Sequence, residues 1–492
     1  MPTYQPRYPG DRWSIAYGRY DGIEKVAVNE LQRAVQAYLP YVLKVQPAAD
    51  CLNQNDHLIL VGTAADNPWI REVTNKGMLA IPDPAESYAI MSTNSPWQAG
   101  RKLIVIAGRD ETGALYGVHD FCARTMAELP PDNPTPERMR AAFDGIGPFT
   151  ATESPAIASR GIWSWGYTIY DYRRFLDHMA RLRMNTLIVW NDVPPANMQD
   201  VLDYAHDRGV RVICGFPWGW GMDFDLSSAD DRRQIREMVV EHYRRYYQHL
   251  NIDGLYTQTL TEHSHAEMKG KSTAHWACEL ANDVIRALRA ESPDLYIQLG
   301  LHATSIQDRL ADLQPLDKSV PIVWEDAGVL PFTYTPVTQI AESPFTRPGE
   351  PDTFERTLAY SRQLATFRPG PEFAMIAKGW TCLRWGVEDE HHAEFILGEQ
   401  QPSFIQRRLE GRQALWDRVN ALWFEHYPLA MRFYREILEY KPTKMLVTGL
   451  IEDGAFEACI QPSVALFAET LWNPRLTAEE ILRRALSPYL RT

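Results

Sequence analysis

From residue 158 onward, short apolar runs alternate with longer amphipathic stretches, and this alternation restricts the fold more than any other feature. The runs have the length and the Val, Ile, Leu and Trp content of buried strands, and the stretches between them have apolar residues at helical spacing. Strands that alternate with helices in this way form a parallel sheet. The clear runs lie at 158–165, 185–190, 210–216, 252–257, 295–301, 320–326 and 372–379.

An eighth unit would close such a sheet into a TIM (β/α)8 barrel, in which eight parallel strands are surrounded by helices. Two later segments could supply the last strand, "KMLVTGL" (444–450) and "VALFAET" (464–470). We place the strand at 464–470, so that the helical residues around 395–440 form a long insertion before it. The sequence therefore predicts an α/β protein in which residues 151–492 form a TIM barrel.

The first 150 residues follow another pattern, which predicts a separate small α/β sandwich domain at 1–150. The apolar runs "HLILVG" (57–62) and "KLIVIAG" (102–108) end at glycine and indicate buried strands. Helical spacing covers 24–39 and 111–125. A Pro-rich polar segment at 126–139 interrupts all periodicity and indicates a linker or long loop.

Charge, the length of the apolar runs, the N-terminal segment and the cysteines restrict the partners and the compartment that we expect. The net charge is -13, whereas nucleic-acid binding needs a basic surface. No apolar run reaches the roughly 18 residues that a membrane helix requires, and "MPTYQPRYPGDRWS" lacks the apolar segment of a secretory signal. The six cysteines contain no C-x-x-C pair, which favours reduced thiols. We expect a cytoplasmic protein with no cofactor, no resident metal, no nucleic-acid partner and no membrane partner.

Polar and aromatic residues follow nearly every predicted strand. In a TIM barrel the chemistry lies at the carboxyl ends of the strands. Indole faces combined with amides and charged groups suit a sugar, whose CH faces stack while its hydroxyls form hydrogen bonds. The residues expected to bind substrate are Trp163, Trp190, Asn191, Asp192, Trp218, Gln258, His263, His302, Trp324, Trp380, Arg384 and Trp472.

Two motifs carry a resemblance to known enzymes. "IVIAGRDETGALYGVHDF" (104–121) followed by a barrel that opens with "SRGIWSW" (159–165) resembles the two-domain core of glycoside hydrolase families 67 (alpha-glucuronidases) and 20 (beta-N-acetylhexosaminidases). The resemblance implies that the general acid is a Glu at the end of the fourth barrel strand. Glu262 in "YTQTLTEHSH" (256–265) matches that position.

The chain departs from family 20 beside this residue. In family 20 an Asp precedes the catalytic Glu and orients the substrate's acetamido group, whereas here the position is Thr261. The second carboxylate should then come from the protein, and the sixth strand offers Glu325 and Asp326. Neighbouring residues of a strand point to opposite sides, so we expect one of the two to face the cleft.

These residues predict hydrolysis of a glycosidic bond at the terminal sugar of an oligo- or polysaccharide. One carboxyl group protonates the leaving oxygen and the other acts at the opposite face of the sugar. A uronic acid would offer a carboxylate to Arg384. The sequence leaves two alternatives open. "HSH" (263–265) and "DEHH" (389–392) could belong to a metal-dependent barrel hydrolase, and the chain could bind sugar without turnover. The helical residues 412–440 could form a homodimer contact.

Overall fold

The computed structural model describes most of the chain and divides it into two compact units. The first unit lies within Met1–Pro155, His206–Gly209 and Leu486–Thr492, and the second within Ala156–Ala205 and Val210–Ala485. Only the backbone is described for residues 326, 327 and 356. The described residues are 11–51, 56–126, 135–219, 222–258, 260, 267–302, 309–327, 354–370, 372–380 and 394–487.

The first unit is built on a six-stranded mixed sheet in the order β2-β1-β3-β5-β4-β6. Its two central strands, β3 and β5, are apolar except at their ends, as their sequences predict, and they are buried along almost their whole length. The elements are β1 (Trp13–Tyr17), α1 (Gly22–Gln36), β2 (Lys44–Pro47), β3 (His57–Thr63), α2 (Pro68–Asn75), β4 (Tyr88–Asn94), β5 (Lys102–Gly108), α3 (Glu111–Thr125), α4 (Pro136–Asp144) and β6 (Phe149–Glu153).

The second unit contains a closed barrel of eight strands, all of them parallel to their neighbours. The predicted fold class, a TIM barrel preceded by a small α/β domain, is therefore confirmed. In chain order the barrel strands are β7 (Ser159–Trp165), β8 (Thr186–Trp190), β9 (Arg211–Gly215), β10 (Gly254–Thr257), β13 (Ile297–Leu301), β14 (Ile322–Ala327), β15 (Glu372–Trp380) and β16 (Lys444–Ile451).

Among the described residues an α-helix follows every barrel strand except β13, which is followed by a 3-10 helix (Leu310–Leu313), and a short hairpin precedes helix α8. The long helix α10 begins with Pro402 in its first turn, where the missing N–H costs nothing. The remaining elements are α5 (Tyr172–Arg181), α6 (Met198–His206), α7 (Ala229–Tyr246), β11 (Glu267–Met268), β12 (Lys271–Ser272), α8 (Thr273–Glu291), α9 (Phe354–Thr366), α10 (Pro402–Glu439), α11 (Pro462–Trp472) and α12 (Ala478–Ala485).

The eighth strand corrects the prediction from sequence. It is Lys444–Ile451, which pairs with β15 and with β7 and so closes the barrel. The segment 464–470 that we expected as the strand lies inside helix α11, which is buried along its length. A short apolar run that is buried on all sides has no periodicity that separates a strand from a helix. Consequently α10 occupies the place of the helix that follows the seventh strand.

The barrel interior is filled by side chains, so the barrel is a packed core with its mouth at one end. The buried cluster inside it draws on strands all around the ring, and Tyr256 and Trp190 are its largest members together with Trp163. Its members are Trp163, Ile188, Trp190, Ile213, Tyr256, Val323, Ala374, Ile376, Leu446 and Leu450. Within the described residues, no helix has the length and apolarity to cross a membrane.

Candidate active site

Polar residues continue the inward-facing side of two barrel strands beyond the buried apolar cluster inside the barrel. Glu325 lies two positions beyond Val323 on β14, and Glu452 lies two positions beyond Leu450 at the end of β16. Side chains two apart on a strand share a face. Both carboxylates therefore belong to the inner side of the barrel at the carboxyl ends of its strands, where TIM barrels place their chemistry.

Glu325 is fully buried and held by two neighbouring strands. The hydroxyl of Tyr256, on β10, donates a hydrogen bond to its Oε1, and Nε2 of His302, directly after β13, lies 2.7 Å from its Oε2. Gly300 makes room for this arrangement, because a Cβ there would lie 1.9 Å from Oε1 of Glu325. Oε1 thus accepts a hydrogen bond, while Oε2 has the imidazole as a close neighbour but accepts no hydrogen bond within the described residues.

The pairing of β14 with β15 and the pairing of β15 with β16 are both irregular near the carboxyl ends of these strands. On β14, Glu325 and Asp326 lie between the paired residues Trp324 and Ala327, where the register with β15 shifts. The register between β15 and β16 shifts again between Ala377 and Trp380. A register shift marks a β-bulge or another irregularity in the strand, and bulges re-aim side chains and are frequent beside active sites. The shifts occur here at the level of Glu325 and of the mostly buried Lys378 on β15.

The structure also brings a carboxylate that the sequence analysis missed. Glu452, buried directly after β16, accepts a hydrogen bond of 2.7 Å from Nε1 of Trp165 at the end of β7. The ring of Trp165 lies against Trp163 and Trp190, with centroids 5.4 and 6.2 Å away. The sequence signal for Glu452 is "IED" directly after the apolar run "KMLVTGL". It points to a strand-end carboxylate only when 444–451, and not 464–470, is the eighth strand.

Three of the twelve residues expected to bind substrate lie away from the mouth. Trp324 packs on Tyr360 of α9, and Trp380 stacks on Trp423 of α10 with its Nε1 donating to Ser463 of α11. Both rings belong to the layer between strands and helices. Trp324 alternates with the inward-facing Val323 and Glu325, whereas Trp380 turns outward because the register of β15 shifts between Ala377 and Trp380. This corrects the expectation that they wall the cleft.

Trp472, the third, is the last residue of helix α11. Its ring contacts the guanidinium groups of Arg160, at the start of β7, and Arg183, which precedes β8, at 4.8 and 4.4 Å. It therefore lies at the amino ends of the strands, opposite to the mouth. The error follows from the misplaced eighth strand.

Other residues expected to bind substrate lie within or shortly after barrel strands. Trp163 and Trp190 are inside the barrel, and Nε1 of Trp190 donates to Asp192 over 3.2 Å. Asn191 is buried, and within the described part of the chain neither atom of its side-chain amide has a hydrogen-bond partner. The same holds for Nε1 of Trp218. Gln258 follows β10, with its Cα 2.8 Å from the position that a Cβ on Gly300 would occupy.

Glu262, His263 and Arg384 lie outside the described residues, as does the side chain of Asp326. Their roles stay predictions. The two His-rich segments, 263–265 and 389–392, are also outside the described residues. Among the residues that are described, no group of three or more His, Cys, Asp or Glu side chains could hold a metal ion.

Glu457, a further buried carboxylate, stabilises the loop after β16. The backbone N–H of Tyr170 donates to Oε1 of Glu457 over 2.6 Å, and that of Asp171 over 3.3 Å. Burial raises the pKa of Glu457 to about 7, against the opposing effect of these hydrogen bonds. The loop after the eighth strand therefore contains a carboxyl group that changes charge near neutral pH.

Comparison with known proteins identifies the fold and no family. No family model matches the chain, and no curated protein matches it. Among solved structures, the chain is similar to a family GH115 4-O-methyl-alpha-glucuronidase, BtGH115A, with specificity for decorated arabinogalactans. The TM-score is 0.52 at 14% identity, over 94% of this chain and 56% of that one. This likeness shows that the two share a fold.

Two further solved structures are similar at lower scores. CpGH84B matches with a TM-score of 0.49 at 11% identity, over 96% of this chain and 70% of that one. A family 89 glycoside hydrolase from Clostridium perfringens, in complex with 2-acetamido-1,2-dideoxynojirmycin, matches with a TM-score of 0.36 at 11% identity. That match covers 87% of this chain and 54% of that one.

Proposed function

We propose that this protein is a glycoside hydrolase that removes a terminal sugar at the mouth of the barrel. The observation that carries the proposal is Glu325, a fully buried carboxylate on the inner side of the sixth barrel strand whose oxygens contact Tyr256 and His302. Buried charged groups are costly unless they are paired, so a carboxylate built into this position is best explained by chemistry there.

In this mechanism Glu325 is the second carboxylate and Glu262 is the general acid. Glu262 protonates the leaving oxygen, and Glu325 either activates a water or attacks the anomeric carbon. Tyr256 holds Oε1 of Glu325 in place. His302, whose side chain is 13% exposed against 0% for Glu325, is the more open member of that pair. It would meet a sugar hydroxyl as the substrate enters.

The substrate class to test first is a terminal uronic acid. Lys378 lies two positions beyond the inward-facing Ile376 on β15, where the register of that strand shifts, and it is mostly buried beside the strand that contains Glu325. An ammonium group in such a position can pair with a sugar carboxylate. Arg384 would add a second cation from the segment after β15. The similar GH115 structure is itself a glucuronidase, which gives a further reason to begin with glucuronides.

The test is hydrolysis of a panel of aryl glycosides, aryl glucuronides included, by the wild-type protein and two variants. We expect turnover of at least one member, a large loss in Glu325→Gln, and little change in Glu372→Gln. Glu372 is a matched control because it is the first residue of β15 and so lies at the amino end of the barrel.

Other outcomes would contradict the proposal in different ways. Turnover that requires added zinc and disappears with a chelator would favour a metal-dependent hydrolase. Binding of sugars without turnover of any panel member would favour a carbohydrate-binding protein.

A further inference from the structure

We propose that Glu452 is a substrate-binding carboxylate of this same site, oriented by Trp165, and that Asp453 positions it. The inference rests on the proposed function. It assigns to the eighth strand a role that no motif in the sequence suggested, and it makes the pair Trp165–Glu452 the surface on which the terminal sugar is bound.

The first step is the geometry of the pair. Glu452 continues the inward-facing side of β16 after Leu446 and Leu450, and one of its oxygens accepts the indole N–H of Trp165 at 2.7 Å. A carboxylate can accept about four hydrogen bonds, so this contact leaves it capable of accepting sugar hydroxyls. Trp165 is only partly buried and offers a flat apolar face beside the same carboxylate. A sugar ring needs both groups next to each other.

The second step is the strained turn that follows Glu452. Asp453 and Ala455 have φ of 42° and 47°, in the left-handed region that residues with a Cβ avoid. Between them, a Cβ on Gly454 would lie 1.7 Å from the indole of Trp416. Such strain persists only where the surroundings determine the conformation, and it is concentrated at functional sites.

The third step is the group that stabilises this turn. Asp453 is buried and accepts hydrogen bonds from Arg408 and Arg412 of helix α10, at 2.7 Å from Nε of Arg408 and 2.8 Å from Nε of Arg412. The hydroxyl of Tyr170 donates to the same carboxylate. Two guanidinium groups and a hydroxyl thus compensate one buried charge.

The last step connects the anchor to the pair. Trp165 is the last residue of β7, and Tyr170 lies in the segment after it. Glu452 and Asp453 come directly after β16. These segments are joined a third time by Ser164, whose hydroxyl donates to the carbonyl of Ile451 over 2.7 Å. Because the contacts bridge the same two segments, the anchor at Asp453 holds Glu452 against Trp165.

The experiment uses the full chain, the aryl glycoside that the wild type hydrolyses fastest, and its set of monodeoxy analogues. On the parent glycoside we expect Glu452→Gln to lower kcat/KM by about 10- to 100-fold, the range for a hydrogen bond to a charged group. On the one analogue that lacks the bound hydroxyl, wild type and variant should have nearly equal kcat/KM, since interacting groups are non-additive.

Two further variants keep the test decisive. Trp165→Phe keeps an aromatic ring but removes the N–H donor, and it should weaken the same dependence on the analogue. It serves as the test if Glu452→Gln does not fold. Asp453→Asn should raise KM with the same dependence on the analogue, because it displaces Glu452 without touching the sugar. Glu372→Gln, at the other end of the barrel, should change neither.

Equal losses on the parent and on every analogue would show that Glu452 is structural, and no loss at all would show that it does not contact substrate. Either result overturns this inference while wild-type turnover upholds the proposed function. Absence of wild-type turnover on the whole panel would overturn the proposed function and this inference with it.

Discussion

Nε2 of His302 lies 2.7 Å from Oε2 of Glu325, across two adjacent strands of the barrel. The pair is expected to act as a unit, because a partly exposed imidazole and a buried carboxylate that touch will each depend on the other's position. In a double-mutant cycle of His302→Asn with Glu325→Gln, the effects on kcat/KM should be non-additive by about 0.5–3 kcal/mol. The control cycle of His302→Asn with Glu372→Gln should be additive, and coupling of equal size in both would remove the evidence for a functional pair.

The general acid is tested by its dependence on the leaving group. Glu262→Gln removes a transferable proton while it preserves the size of the side chain, so turnover of a substrate with a poor leaving group should fall by about 10²–10⁴. For an aryl glycoside with an acidic leaving group the loss should be much smaller, since that group departs without protonation. Glu325→Gln should impair both substrates alike. If Glu262→Gln harms both equally, another residue is the acid.

Trp380 should matter for stability and not for substrate binding. Its ring stacks on Trp423 with centroids 5.0 Å apart, and its Nε1 donates to Ser463. Trp380→Phe removes part of a packed ring and one hydrogen bond, which together should cost about 1–3 kcal/mol in the free energy of unfolding. Urea unfolding measures that cost, while KM should stay within twofold of wild type. A large rise in KM with unchanged stability would mean that Trp380 contacts the substrate and does not belong to the layer between strands and helices.

Glu457 should make the protein less stable as pH rises toward neutrality. Its pKa is about 7 in the folded protein because of burial, against an ordinary value of 4.5. Below pH 4.5 both states are protonated; between these values the unfolded chain loses a proton that the folded protein keeps, and stability falls. At roughly 1.4 kcal/mol per pKa unit, the difference of about 2.5 units corresponds to a loss of about 3.5 kcal/mol.

The comparison of Glu457→Gln with wild type isolates this effect from that of every other titrating group. The difference in unfolding free energy between variant and wild type should shift in favour of the variant from about pH 4.5 to about pH 7 and then level off. Denaturant unfolding at five or six pH values measures it. A difference that is independent of pH would mean that the carboxyl group titrates normally.

Much of the secondary structure follows from local sequence. Helix α3 occupies 111–125, as its spacing predicts, and the first seven barrel strands lie within a few residues of the apolar runs. Backbone hydrogen bonding within helices and the two-residue repeat of strands are local properties, so they leave a readable period in the sequence. The alternation of strands and helices then restricts the chain to a parallel sheet.

Only the tertiary structure decided which runs close the barrel and which side of a strand faces inward. Residues 444–451 and 464–470 are both short and apolar, but just one of them pairs with β15 and β7 at once. Trp324 and Glu325 are neighbours, and the ring faces the helices while the carboxylate faces the interior. Glu452 became visible only with the correct last strand. Ring closure and the phase of alternation depend on contacts between residues far apart in the chain, which a local pattern does not contain.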